Sequence, residues 1–283
     1  MIQLDDVAKL QRVEPFLYVF QGVGSFRVNS LVLEDVDGLY VIDTQLEDQN
    51  NYQFIQQILD QFPDKPIKQL IISHYHLDHY IGVPLLQEKF GRFPVIGSKD
   101  SVMHMNMCTP VIWPAYQRES QTHTVAINDL VYPTQEIHSP YVIEFNQRSV
   151  TLWPIGANES WSSLIGVFHD TKTLFISDLF FEGIFIDPKI GGTILGWQQE
   201  INALTSIDFK TVIAGHGNKL YTRNDIMTFI NDLNDFIQEA QVLIANHYTL
   251  QDFMVYHFKS ALVIFDPAYS LQNIYSELKQ QKQ

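Results

Sequence analysis

The chain has 283 residues, 46% of them hydrophobic, a folded composition with material for one large domain or two modest ones. Its 32 acidic residues outnumber 18 basic ones, giving a formal charge of −14. That balance argues against nucleic-acid binding, which needs a basic face, and against docking on an anionic membrane. A single cysteine, Cys108, excludes an internal disulfide framework. Met1-Ile2-Gln3-Leu4-Asp5-Asp6 is not a basic-then-apolar leader, and no apolar run reaches membrane-spanning length. The expectation is a cytoplasmic, soluble protein that acts on a small molecule.

In chain order, residues 17–20 and 28–34 read as strands around Gln21-Gly22-Val23-Gly24-Ser25. This glycine pair reads as a hairpin turn, since no βαβ pattern follows it to make a phosphate loop. Asp37-Gly38 is a stronger turn signal and leads into Leu39-Tyr40-Val41-Ile42-Asp43. A helical run over about 48–62 stops at Pro63-Asp64-Lys65-Pro66, and a strand over 67–73 follows.

That strand delivers the densest polar cluster in the chain, His74-Tyr75-His76-Leu77-Asp78-His79. Three imidazoles and a carboxylate within six positions are the donor types that zinc and harder divalent ions take. A helix begins near residue 81, a short strand occupies 93–96, and a further helix is expected over about 100–107. Residues 109–140 show little periodicity and read as a long irregular excursion.

The second half repeats the same grammar, with strands over 142–145, 149–153, 163–168 and 173–177. A helical run over 197–204, a strand over 211–214 and helices from about 224 onward complete it. A layered α/β sandwich suits this order, as a single domain over 1–283 with strand-rich halves of about 1–145 and 146–283.

One loop does not make an enzyme's metal site, so polar residues at other strand ends are the candidate partners. Glu159 lies just past the strand that ends at Trp153, Asp178 directly follows Ile176-Ser177, and His216 sits between Gly215 and Gly217. A carboxylate wedged at an apolar strand end, as Asp178 is, costs free energy unless it is paired or metal-bound.

Taken together, His74-x-His76-x-Asp78-His79, Asp43 in Val41-Ile42-Asp43-Thr44, Ser177-Asp178 and Gly215-His216-Gly217 resemble the metallo-β-lactamase-fold superfamily. The resemblance implies an αββα four-layer sandwich with two divalent metals along one edge of the paired sheets. Carried over by position, it gives His74 and His76 to the first metal, Asp78, His79 and His216 to the second, and Asp178 to both. Asp43 becomes a residue that steadies the histidine loop, and Asp78 both ligates and orients the nucleophile. Zinc is the first expectation, with manganese or iron as alternatives.

One position departs from the pattern. Glu159 stands where the family usually has a histidine completing the first metal's ligands. A carboxylate can take that place, and it removes one more unit of positive charge, favouring harder ions and polarising water less. The opposing reading turns Glu159 away and leaves one metal position empty. Enzymes with glutamate here resemble alkylsulfatases of the superfamily, which are longer and carry additional domains.

The implied function is metal-dependent hydrolysis of an ester-like bond: ester, thioester, lactone, lactam, phosphodiester or sulfate ester. Iron oxidoreductases share the fold, but the diiron flavoproteins have glutamate in place of His76 and carry a flavodoxin domain. A non-catalytic member fits poorly with a chain that keeps every other ligand. The run Met103-His104-Met105-Asn106-Met107-Cys108 suits Cu(I), yet a methionine-rich helix face is the commoner arrangement. His104, His123, His138, His169, His247 and His257 lack partner spacing. Trp113, Tyr116, Trp161, Phe181, Phe185 and Trp197 lie near the predicted site loops; core packing is their default, and Trp161, two residues beyond Glu159, is a candidate for the pocket wall. The C-terminal helices could cover a sheet or form an oligomer contact.

Overall fold

The computed structural model describes residues 8–24, 26–119 and 124–281. The stretch read above for a leader and His123 lie outside them. Two sheets face each other. The first runs in chain order through β1 (Lys9–Glu14), β2 (Leu17–Gln21), β3 (Asn29–Glu34), β4 (Leu39–Ile42), β5 (Ile67–Ile72), β6 (Val95–Ser98) and β7 (Gln135–Ile137). The second has the order β13-β12-β11-β10-β9-β8. Its strands are β8 (Tyr141–Phe145), β9 (Arg148–Ile155), β10 (Ser163–Phe168), β11 (Thr173–Ser177), β12 (Thr211–Ala214) and β13 (Tyr221–Thr222).

In both sheets an antiparallel meander passes into parallel pairing: β4 to β7 in the first, β11 with β12 in the second. Parallel neighbours need a crossover, and helices supply it. In the first sheet these are α1 (Asp48–Gln61), α2 (Leu77–Tyr80) with α3 (Val83–Phe90), and α4 (Ser101–Glu119). In the second, α5 (Ile194–Ala203) serves, followed by α6 (Arg223–Ala245), α7 (Leu250–Met254) and α8 (Pro267–Gln280).

Side chains alternate across each strand and so divide the core into three. Leu17, Val19, Leu31, Leu33, Ile42 and Ile71 meet Phe145, Val150, Leu164 and Phe175 between the sheets. The alternate positions Phe20, Val32, Val41 and Leu70 pack with Phe54, Ile58, Leu86, Met105 and Trp113 of the helices outside the first sheet. Leu174, Ile176 and Val212 do the same with Trp197, Phe229 and Leu233 outside the second. The result is the four-layer αββα sandwich. A one-residue slip in a strand buried on both faces, such as β2 or β3, would send each side chain into the opposite layer of the core. No helix among the described residues is long and apolar enough to cross a membrane.

The expected irregular excursion begins later than the sequence indicates. Helix α4 continues through Pro110 and Pro114 to Glu119. Its buried positions include Ser101, His104, Met105, Cys108, Thr109 and Trp113, a helical spacing, while both prolines lie on the exposed side. Burial of that stripe outweighs the local cost of the two prolines. The same geometry disperses the methionine run: Met103 and Met107 are exposed, and Met105 and Cys108 face the core.

Candidate metal centre

The site forms where strands of both sheets end. Asp43 follows β4, Ser73 follows β5, Asp178 follows β11 and Gly215 follows β12. Backbone bonds lock the two sheets together here: Leu164 N–H donates to Ser73 O (2.7 Å) and Asn29 N–H to Gly215 O (2.7 Å). Asp43 and Ser177 take left-handed backbone angles, φ 61° and 51°, that turn each chain sharply out of its strand. Gly215 is required by space, because a Cβ there would strike the Asp178 carboxylate.

Seven side chains converge. His74, His76 and Glu159 form one group, Asp78, His79 and His216 another, and His74, His79 and Asp178 a third between them. Within each group the donor atoms lie within 4.8 Å of one another. His76 Nδ1 is 2.9 Å from Glu159 Oε1, and His74 Nε2 is 3.7 Å from both Glu159 Oε2 and Asp178 Oδ2. His216 Nε2 lies 2.9 Å from Asp178 Oδ2 and 3.4 Å from Asp78 Oδ2. His79 Nε2 is 3.4 Å from Asp78 Oδ2 and 3.5 Å from Asp178 Oδ2. Asp178 therefore stands between the two halves of the cluster.

Each imidazole is fixed by its other nitrogen. His79 Nδ1 donates to Asp43 Oδ2 (2.9 Å), His216 Nδ1 to Phe26 O (2.5 Å) and His76 Nε2 to Ile190 O (3.1 Å). His74 Nδ1 faces Ser73 Oγ and Ser177 Oγ at 3.2 and 3.3 Å. Ser177 Oγ donates to Ser73 Oγ (2.9 Å), which donates to Asp43 Oδ2 (2.6 Å). Asp43 also accepts the Ser73 backbone N–H at 2.7 Å. One buried carboxylate thus orients histidines in both halves of the cluster. Such outer contacts set which ring nitrogen is left to bind a metal.

Burial opposes charge on every group here, and opposite charges oppose burial. Burial raises Asp78 and Asp178, but the His79 and His216 imidazoles outweigh it and hold both below the ordinary aspartate range. Glu159 has His76 as its main imidazole partner; burial prevails and pushes its carboxyl up. Burial also pushes His74 well down, with His79 adding to the effect.

Four of these atoms, His74 Nε2, His79 Nε2, Glu159 Oε2 and Asp178 Oδ1, are buried without a hydrogen-bond partner. Orphaned buried polar atoms are costly and uncommon. Other buried unpartnered side-chain atoms, such as Gln21 Oε1 and His104 Nδ1, are scattered, whereas these four sit on residues of metal-ligating types that converge, so the donor set fits divalent cations. Among the described residues no other trio of His, Cys, Asp or Glu converges in this way.

The sequence led to all seven of these residues and to Asp43, and placed the aromatic Tyr116, Phe181 and Phe185 near the site loops, but it gave none of their contacts. Tyr116, on the last turn of the buried stripe of α4, donates from Oη to Asp78 Oδ1 at 3.0 Å. The Ser73–Ser177 relay and the Ile190 carbonyl were also missed, since none carries a motif. In the sequence Tyr116 is an aromatic near the site loops with core packing as the default, and only periodicity through the prolines of α4 could have brought it to Asp78. Trp161 does not line the cavity in front of the cluster. It stacks on Tyr75 at 5.7 Å, and its backbone N–H donates to Tyr75 Oη (2.7 Å).

Residues 23–216 match the pattern of the metallo-beta-lactamase superfamily, and the chain belongs to that family. Among solved structures it is similar to the stereoselective inverting sec-alkylsulfatase Pisa1 from Pseudomonas sp., with 19% identity and a TM-score of 0.73. That match covers 97% of this chain and 50% of the other, so the chain spans half the length of the sulfatase. A beta-lactamase domain protein from Burkholderia ambifaria matches at 14% identity and a TM-score of 0.70, covering 97% and 88%. A metallo-beta-lactamase from Pontibacter korlensis matches at 14% and 0.61, covering 80% and 99%. At these identities the likeness is one of fold. No curated protein sequence matches the chain.

Proposed function

We propose that this protein is a metallohydrolase that cleaves an ester-like bond with water at a two-metal centre. The observation that carries the reading is the set of four buried, orphaned donor atoms on His74, His79, Glu159 and Asp178. His74, His76 and Glu159 would hold one cation, Asp78, His79 and His216 the other, and Asp178 would contact both. Divalent cations held there supply Lewis acidity, activating water and polarising the scissile bond.

The chain's own residues fix the rest. Asp78 turns Oδ2 toward His79 and His216 while Tyr116 holds Oδ1, so its carboxylate plane is set from both sides. Burial and the neighbouring Asp78 and Glu159 carboxylates push the Tyr116 hydroxyl well above its ordinary range, so it stays a donor at neutral pH. Glu159 is tied through Oε1 to His76 Nδ1, and its backbone N–H donates to Asn158 Oδ1 (2.7 Å). Zinc is the first expectation, and a third carboxylate in the donor set favours manganese or iron more than a histidine at position 159 would.

The test is metal analysis of the purified protein followed by ester, thioester, lactone, phosphodiester and sulfate-ester substrates. About two equivalents of a colourless divalent metal, with chelator-sensitive turnover on one substrate class, is the expected result. A metal-free, inactive protein overturns the reading. Iron with a visible absorption band and no hydrolysis favours an oxidoreductase instead.

A further inference from the structure

In front of the cluster lies a cavity of about 420 Å3 whose floor is His76, Asp78, Glu159, Asp178 and His216. Its wall is of a different kind: Phe26, Tyr116, Phe181, Phe185, Ile190 and Phe265. Among the described residues Arg27 is the one lysine or arginine lining it, and every acid lining it belongs to the convergent groups. A polyanion bound there would set its remaining charges against phenyl rings, at a desolvation cost that one guanidinium does not offset. An apolar body would remove ring surface from water.

The wall is assembled from distant parts of the chain as stacked pairs. Phe26 stacks on Tyr116 with centroids 5.7 Å apart and planes 25° apart. Phe181 stacks on Phe265 at 5.7 Å and 27°. Phe265 lies beyond residue 216, where the superfamily pattern ends, and the residue is 43% exposed.

Its backbone is nonetheless held firmly. Phe265 N–H donates to Ile184 O (2.8 Å), and Ile184 N–H donates to Val263 O (3.0 Å). Ser270 Oγ donates to Phe265 O (2.7 Å), Asn273 Nδ2 to Ile186 O (3.0 Å) and Tyr269 Oη to Asp187 Oδ1 (2.9 Å). The C-terminal segment thus clamps the loop that follows Asp178 and presents an exposed aromatic ring at the cavity's edge.

We infer that the substrate is an ester with a small polar scissile group and an otherwise uncharged apolar body, and that Phe265 with Phe181 selects for that body's length. The inference rests on the hydrolase reading and deepens it. A methylene fully buried on the wall contributes up to about 0.8 kcal/mol, or roughly fourfold in affinity. A partly covered one contributes less, so about two- to fourfold per methylene is expected until the cavity fills.

The experiment uses metal-loaded, full-chain protein in two arms. Calorimetry follows binding of n-alkyl sulfonates from ethyl to decyl, which cannot be hydrolysed. Kinetics follow an ester series with one head group and the same range of chains. Affinity and kcat/KM should both climb with chain length. Phe265→Ala and Phe181→Ala should flatten both climbs, whereas Phe265→Leu, which keeps apolar bulk, should preserve most of them. Thermal melts of each variant establish that it is folded.

Sulfonate affinity that climbs while neither this series nor any class of the wider substrate panel is cleaved keeps the apolar-body inference and removes the hydrolase reading. Ester cleavage with chain-length dependence flat in both arms keeps the hydrolase reading and overturns the inference. A climb that Phe265→Ala and Phe181→Ala leave unchanged overturns the role of the aromatic pair, and absence of both binding and cleavage overturns the inference entirely.

Discussion

Asp43 does more than its place at a strand end indicates. Its Oδ2 takes hydrogen bonds from His79 and Ser73, and Ser73 is joined by Ser177 beside His74. Ser177→Ala would remove one acceptor from His74 Nδ1 without changing a candidate ligand. Outer contacts of this kind are worth about 10–100-fold in metal affinity. A competition titration with a metal indicator should show a loss in that range for Ser177→Ala, with the fold intact by circular dichroism. An unchanged affinity would make the relay a packing feature only. Glu159 carries the second expectation at this scale. If its orphaned Oε2 is a ligand atom, Glu159→Gln should lose metal from one position, while Glu159→His should retain it and shift preference from manganese or iron toward zinc. Elemental analysis after loading with mixed metals distinguishes these, and identical occupancy in all three proteins would exclude Glu159 as a ligand.

At the scale of elements, two helices shape the site from a distance. Helix α4 carries a buried stripe past two exposed prolines to place Tyr116 against Asp78. Helix α8 acts through Glu277, whose carboxylate accepts from Thr193 Oγ (2.5 Å), Ile194 N–H (2.9 Å) and Leu195 N–H (3.1 Å). Those are the cap and first turn of α5, where backbone N–H groups have no partner within the helix. A carboxylate from another helix therefore does the work of a local cap and favours the helix dipole. Directly before α5 runs the loop with Ile190, whose carbonyl holds both His76 and Tyr75. Glu277→Gln should cost about 1 kcal/mol and lower the melting temperature by roughly 2–4 °C. A melting curve superimposable on the parent's would show that the cap contributes nothing.

Across the whole molecule, the sheets are also tied at a second place. Asp35, in the turn between β3 and β4, accepts from Lys68 (2.8 Å) and from the backbone N–H of Asn146 (2.7 Å) in the turn between β8 and β9. Burial raises the Asp35 carboxyl, but Lys68 and the backbone donors of Asn146 and Val36 outweigh it and hold it below the ordinary range. A depressed folded pKa gives a contribution that is complete above the unfolded value of about 3.9 and is lost as pH falls through the folded one. The melting-temperature gap between the parent and Asp35→Asn should therefore be constant from about pH 8 to about pH 5 and narrow below about pH 4. A gap that widens on acidification would place the stabilisation elsewhere.

Much of this architecture was legible in the chain. In a strand such as Leu17–Tyr18–Val19–Phe20 alternation says which side chains share a face, but with all four apolar only the structure decides which face meets the other sheet. The His74–His79 loop, Asp178 and His216 were legible because strand ends beside polar donors leave a local trace. The prolines of α4 misled, since a proline's cost is local while the burial that outweighs it is tertiary. By itself, then, the sequence determined a layered α/β order and the polar residues at its strand ends, both written in short-range pattern, while the resemblance supplied the four-layer sandwich. Only the tertiary structure decided which ring nitrogen each histidine offers, that Tyr116 reaches Asp78, and that Phe265 joins Phe181 at the cavity. Those contacts join residues far apart in the chain, and nothing in the local order of residues encodes a distance in space.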